Sequence, residues 1–155
     1  MTPNIGLSDA QREGGIGILN ALLSSEYVLY TKTRNYHWNV VGPQFHDLHK
    51  FFDQQYKELD EIVDQIAERV RALGGWAFGT LTEFTEHTKI QERSKEYPAA
   101  GQMVSNLLAD HELIVRQLRV ALGIEGTNDF LMELIEHHEK MAWMLRALLE
   151  NAPGY

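Results

Sequence analysis

Residues 35–75 read NYHWNVVGPQFHDLHKFFDQQYKELDEIVDQIAERVRALGG. Phe45, Leu48, Phe52, Tyr56, Leu59, Val63, Ile66, Val70 and Leu73 step by three and four, the signature of one long amphipathic helix. The helix is expected to start near Gln44 and to stop at Gly74-Gly75. Gly42-Pro43, just before it, ends an earlier helix. That earlier helix runs from about Ser8 to about Val40, with Ser8 and Gln11 as a capping box. Ile16, Leu23, Tyr30 and His37 recur every seven residues along its seam.

The rest of the chain continues the pattern. Residues 76–97 form a connection long enough to contain a short helix near Leu81–Glu86. Pro98 opens a third long helix carrying Met103, Leu107, His111, Ile114 and Leu118, closed by Gly123. Thr127 or Asn128 caps a fourth, with Leu131, Leu134, Met141, Leu145 and Leu148, which frays over residues 151–154. Four long helices, a long crossover between the second and third, and no strand give an all-α, ferritin-like four-helix bundle.

Composition narrows the function. The 155 residues fit a single domain, with residues 1–8 and 151–155 as tails. No run of about 18 apolar residues is present, so no transmembrane helix is expected. The opening residues lack a basic and an apolar region, so no secretory signal is expected either. Cysteine is absent, which excludes disulfides and thiolate zinc sites and fits the cytoplasm. The net charge is −8. Arg12 is the one cationic side chain in the first fourteen residues, and nothing after Arg146 is basic. DNA binding through a basic tail is therefore disfavoured, and attraction of cations is favoured.

The charged residues of the second helix are not scattered. With Phe52 at the centre of the apolar seam, His49 lies at about 60°, Asp60 at about 80°, Asp53 at about 100°, Asp64 at about 120° and Glu68 at about 160°. This strip reads as a solvated shoulder or as a metal site. Few cations offset it nearby, Lys57 and Arg71 being the closest in sequence. His37 falls on the apolar line of the first helix, facing His49 across the turn. Imidazoles with carboxylates suit Fe²⁺, Zn²⁺ or Mn²⁺ better than Ca²⁺. Of the other histidines, His111 and His138 are expected to be hydrogen-bonded core groups. His46 and His137 are expected to be exposed, and His87 has no evident partner. The Glu-x-x-His pairs of single-bundle di-iron proteins are absent.

His37-Trp38, Gly42, Phe45, His49, Asp53, Asp64 and Ala67-Glu68-Arg69 together resemble the Dps family of miniferritins. The histidines are twelve apart, Asp53 follows by four, Asp64 by eleven and Glu68 by four. The resemblance implies a ferroxidase site between two subunits, with His37, His49 and Asp53 from one chain and Asp64 and Glu68 from its neighbour. It implies a hollow homododecamer that oxidises Fe²⁺ with hydrogen peroxide, or more slowly with dioxygen, and stores Fe³⁺ mineral against oxidative stress. Zn²⁺ or Mn²⁺ would compete for the same donors. Asp129 and Glu133 match the positions of an acidic inlet at a three-fold axis, with Glu136 a turn on and Glu125 a weaker candidate. Trp38 carries either an interface or a redox role. Lys50 stands directly after His49, where some relatives carry acidic residues that nucleate mineral. A DNA-compacting protein with secondary iron chemistry is the alternative function, and a plain helical bundle with a solvated strip is the third.

Overall fold

In a computed structural model that describes residues 2–124 and 126–150, the chain folds into five helices. They are α1 (Asp9–Asn39), α2 (Phe45–Ala72), α3 (Leu81–His87), α4 (Ala100–Ala121) and α5 (Asn128–Leu149), with no strand among the described residues. Glu125 and the expected fraying end at 151–155 lie outside the described residues.

The termini of the helices follow local chemistry. Ser8 accepts from the Gln11 N–H while the Gln11 side chain accepts from the Ser8 N–H, closing the expected box. Thr80 and Glu83 close a second box at α3. The start of α5 is built differently from expectation. Thr127 is its N-cap, but its side chain makes no capping bond. Its hydroxyl instead accepts from Arg69 at 3.2 and 3.3 Å, and Arg69 also donates to the Gly126 carbonyl at 2.6 Å. The neighbouring Asn128 side chain accepts from the Gly123 N–H, so it serves the turn that follows α4. Pro98 lies before α4 rather than within it, the helix beginning at Ala100.

α1 and α2 form one antiparallel pair, closed at one end by His37 against His49 and at the other by Arg12, which donates to the Leu73 carbonyl. α4 and α5 form the second pair. The core runs down the middle through Leu19, Leu29, Phe52, Leu59, Ile66, Leu107, Ile114, Leu118, Leu131 and Leu145, all fully buried. Each such side chain contributes about 1.5–3 kcal/mol by leaving water. No helix among the described residues is long and apolar enough to cross a membrane.

The long connection is fastened to α1 by side chains. Asn20 donates to the Trp76 carbonyl and accepts from the Phe78 N–H, both at 3.0 Å. Tyr27 stacks on Phe84 of α3 with ring centroids 4.2 Å apart. Ser25 accepts from the Lys89 N–H. Lys32 donates to the Gln91 carbonyl at 3.0 Å and pairs with Asp110 of α4 at 2.6 Å. Burial pushes the Asp110 carboxyl up, and the hydrogen bond from Lys32 pulls it back.

Lys32→Met should lower stability by about 3 kcal/mol, because it strands a largely buried carboxylate. The loss should shrink as pH falls, beginning above the ordinary carboxylate range, because burial already raises the Asp110 carboxyl, losing Lys32 raises it further, and a protonated Asp110 carries no unpaired charge. Urea unfolding followed by circular dichroism at two pH values measures this. An unchanged midpoint would show that the connection docks without the pair.

Candidate metal centre

The corner between α1 and α2 puts His37 and His49 face to face. Gly42, at φ +108°, turns the chain there, a conformation that favours glycine. The two imidazoles stack with centroids 3.9 Å apart and planes 20° from parallel. His37 Nδ1 donates to the His49 carbonyl at 2.7 Å, and His49 Nδ1 donates to the His37 carbonyl at 2.8 Å. A carbonyl only accepts, so each Nδ1 carries the proton. With Nδ1 held in this way, Nε2 is the nitrogen each ring leaves for a metal, the arrangement a metal-binding histidine needs. The bonds arise from the helix end itself. His37 lies in the last turn of α1, where carbonyls have no intrahelical partner, and His49 Nδ1 takes one of them.

Aromatic rings hold the pair in place. Phe45 stacks on His49 at 5.1 Å, and Tyr56 meets His37 edge-on at 5.3 Å. His37 is buried and His49 half-buried. Asp53 lies one turn beyond His49. Its Oδ1 accepts from the Tyr56 hydroxyl at 2.8 Å, and its Oδ2 accepts from Lys57 Nζ at 2.6 Å. The Lys57 and Tyr56 hydrogen bonds hold its carboxyl below the usual range, so it is ionised at neutral pH.

The other candidates are placed elsewhere. Asp60, Asp64 and Glu68 are exposed on α2. At 1.5 Å rise per residue, Asp64 lies about 16 Å and Glu68 about 22 Å along the axis from Asp53. The strip is thus two separated groups within one chain. Among the described residues, no set of three or more His, Asp or Glu side chains converges to hold an ion. Asp129, Glu133 and Glu136 are exposed on α5, Asp129 in its first turn. Glu125 lies outside the described residues. Trp38 is 64% exposed, and the Arg34 guanidinium lies 5.0 Å from its ring.

Several histidines have partners that the sequence did not suggest. His87 Nδ1 donates to the Glu83 carbonyl at 2.9 Å and its ring meets Phe78. His137 is half-buried rather than free, with Nδ1 2.6 Å from Glu58. His111 and His138 are buried core groups bonded to each other, as expected. Sequence reading missed Tyr56 and Lys57 as partners of Asp53, although they stand three and four residues after it, within reach on a helix.

Comparison with known proteins follows from this geometry. Residues 16–154 match the ferritin-like domain family. An uncharacterized low temperature-induced protein of Nostoc is 45% identical over 157 residues, covering 97% of this chain and 88% of its own. DNA protection during starvation protein 2 of Bacillus anthracis is 39% identical over 142 residues, covering 88% of this chain and 97% of its own. A Dps protein of Vibrio cholerae, described as a member of a broad superfamily of ferritin-like diiron-carboxylate proteins, superimposes with a TM-score of 0.90. It is 29% identical, over 97% of this chain and 98% of that one.

Lys57 competes with any cation for Asp53. Lys57→Ala should therefore tighten Co²⁺ binding about two- to fivefold, the range expected when an exposed ion pair is removed. Titration calorimetry on the full chain tests this, and unchanged or weaker binding would show that Asp53 is not a ligand.

Proposed function

The chain belongs to the Dps family of ferritin-like proteins, and on that premise we propose that it is a ferroxidase and iron store. It oxidises Fe²⁺ with hydrogen peroxide, or more slowly with dioxygen, and keeps the ferric product inside a hollow cytoplasmic homododecamer. The observation that carries this reading is the histidine pair, with both Nδ1 atoms bound to carbonyls and both Nε2 atoms left for a metal beside the ionised Asp53.

The separation within the strip supports a site shared by two chains. His37, His49 and Asp53 supply one side, and Asp64 and Glu68 of a second copy supply the other. A two-fold axis repeats such a site by symmetry, so both ends of each α2 are used. Trp38, Val41 and Phe45 remain 64%, 74% and 45% exposed around the half-site, apolar surface that a second copy would cover. Trp38 then packs at the interface, next to the ligand His37.

The chemistry follows from the donors. Imidazoles and carboxylates hold Fe²⁺ and leave positions free for the oxidant, and they accept Zn²⁺ or Mn²⁺ as competitors. Hydrogen peroxide takes two electrons. Two ferrous ions at one site supply both: 2 Fe²⁺ + H₂O₂ + 2 H⁺ → 2 Fe³⁺ + 2 H₂O. No one-electron step is left to release hydroxyl radical. DNA is protected by this reaction without being touched. The net charge of −8 weighs against direct DNA binding. Asp129 and Glu133 form the acidic inlet for Fe²⁺, and the charge of Asp129, in the first turn, also suits the N-terminal end of α5.

Anaerobic Fe²⁺ loading followed by a peroxide pulse tests the site. We expect fast ferric absorbance with about two Fe²⁺ consumed per peroxide. His37→Ala and Asp64→Ala should each slow the reaction at least about 100-fold while leaving the helices intact. Rates equal to the parent protein in both variants would remove the site assignment.

Asp129→Asn with Glu133→Gln should slow mineral growth but leave the first oxidative turnover of preloaded Fe²⁺ unchanged. Iron uptake at the parent rate would place the inlet elsewhere.

A further inference from the structure

Asp53, the carboxylate of the half-site, is already engaged in the single chain. Lys57 Nζ lies 2.6 Å from its Oδ2, and the Tyr56 hydroxyl lies 2.8 Å from its Oδ1. Tyr56 is a neutral donor and can share a carboxylate with a metal. Lys57 carries a full charge and repels any cation that approaches the same oxygen. It needs another acidic partner if Asp53 is to hold iron. Within its own helix Glu61 stands four residues after it, the less favourable order for a helical ion pair.

A site shared by two copies, on which this inference rests, supplies a better partner. Such a site takes His49 and Asp53 from one α2 and Asp64 and Glu68 from the other. Parallel helices would leave Asp53 and Asp64 about 16 Å apart in height, so the two α2 helices run antiparallel across the two-fold axis. The register follows. His49 stands level with Glu68, and Asp53, four residues up one helix, stands level with Asp64, four residues down the other. One more step of four in each direction, about 6 Å, brings Lys57 level with Asp60 of the second copy. Symmetry repeats this row, so two such pairs flank the axis.

The charges call for this pairing. From Asp53 to Asp64, Lys57 is the one cationic residue, among Asp53, Glu58, Asp60, Glu61 and Asp64. Bringing two copies together crowds these acids. Asp60 is exposed, and among the described residues no cation pairs with it. The Lys57 side chain is 64% exposed, on a flexible four-carbon stem able to move between partners.

We propose that Lys57 and Asp60 of a second copy form an ion pair on each side of the two-fold axis, so that assembly draws Lys57 off Asp53 and opens that carboxylate to metal. The single chain keeps its half-site closed by its own lysine, and the site matures where two copies meet.

The pair acts on association itself, so it is tested first without metal. Full-length protein is followed by sedimentation velocity through a dilution series. Asp60→Asn should weaken association about threefold or more, because each interface loses two pairs. In a Lys57→Ala background the same change should not weaken it, since there it only relieves repulsion between acids. Association unchanged or strengthened by Asp60→Asn in the parent overturns the proposal, because Asp60 then pairs within its own chain or not at all. Co²⁺ titration calorimetry reads the release of Asp53. Asp60→Asn should weaken binding about two- to fivefold in the parent and leave it unchanged with Lys57→Ala. No weakening in the parent, or equal weakening in both backgrounds, overturns the release. A parent chain that never assembles removes the shared site and this pair with it. A parent that assembles and binds Co²⁺, with Asp60→Asn changing neither, removes the pair alone.

Discussion

Two N–H groups on imidazole rings set the geometry of the α1–α2 corner. Each bonds the backbone carbonyl of the other histidine's residue, at 2.7 and 2.8 Å. The exchange closes the first helical hairpin, fixes both ring tautomers and stacks the rings. Structural and chemical roles are thus carried by different nitrogens of the same residues. The Nδ1 atoms belong to the fold, and the Nε2 atoms are left for a ligand. An apolar side chain of similar size could fill the space, but it could not bond the orphan carbonyl of α1 and also offer a lone pair.

Much of this was legible in the sequence. The apolar stepping from Phe45 to Leu73 predicts α2, and the Ser8–Gln11 box predicts the start of α1. Both signals are local, set by helix period and by backbone groups within one turn. The inward direction of His37 was also legible, from its place on the seam. The reciprocal bonding to carbonyls was not, because it depends on how two helices meet. The same holds for Thr127, whose hydroxyl serves Arg69, 58 residues away, rather than its own helix. Glu26, which meets His138 in the core, was missed for another reason. It stands between Leu22, Leu23 and Leu29 on the inner face of α1, and an acid at such a position is a signal in itself.

The charged residues of α2 differ in what surrounds them rather than in type. Asp53 is engaged by a lysine and a tyrosine of its own helix, whereas Asp64 and Glu68 face solvent. A single chain therefore presents one ordered cluster and one exposed pair, and the helix between them is too long to bring the two together. Under the proposed function, that distance makes a second copy necessary to complete the site.

Arg69 bears on how freely the α4–α5 turn can vary. Its guanidinium bonds a backbone carbonyl at Gly126 and a hydroxyl at Thr127. The turn is therefore gripped at its far end through one backbone carbonyl and one side-chain hydroxyl, next to the first residue of α5. Ile124, earlier in the turn, is held separately by packing against the core. A residue inserted before Gly126 would leave α5 in register with α2, because the clamp holds the helix at its own first turn. Substituting Arg69 or Thr127 would therefore loosen the entry to α5 itself, whereas a change of length earlier in the turn would be absorbed before it reached the helix.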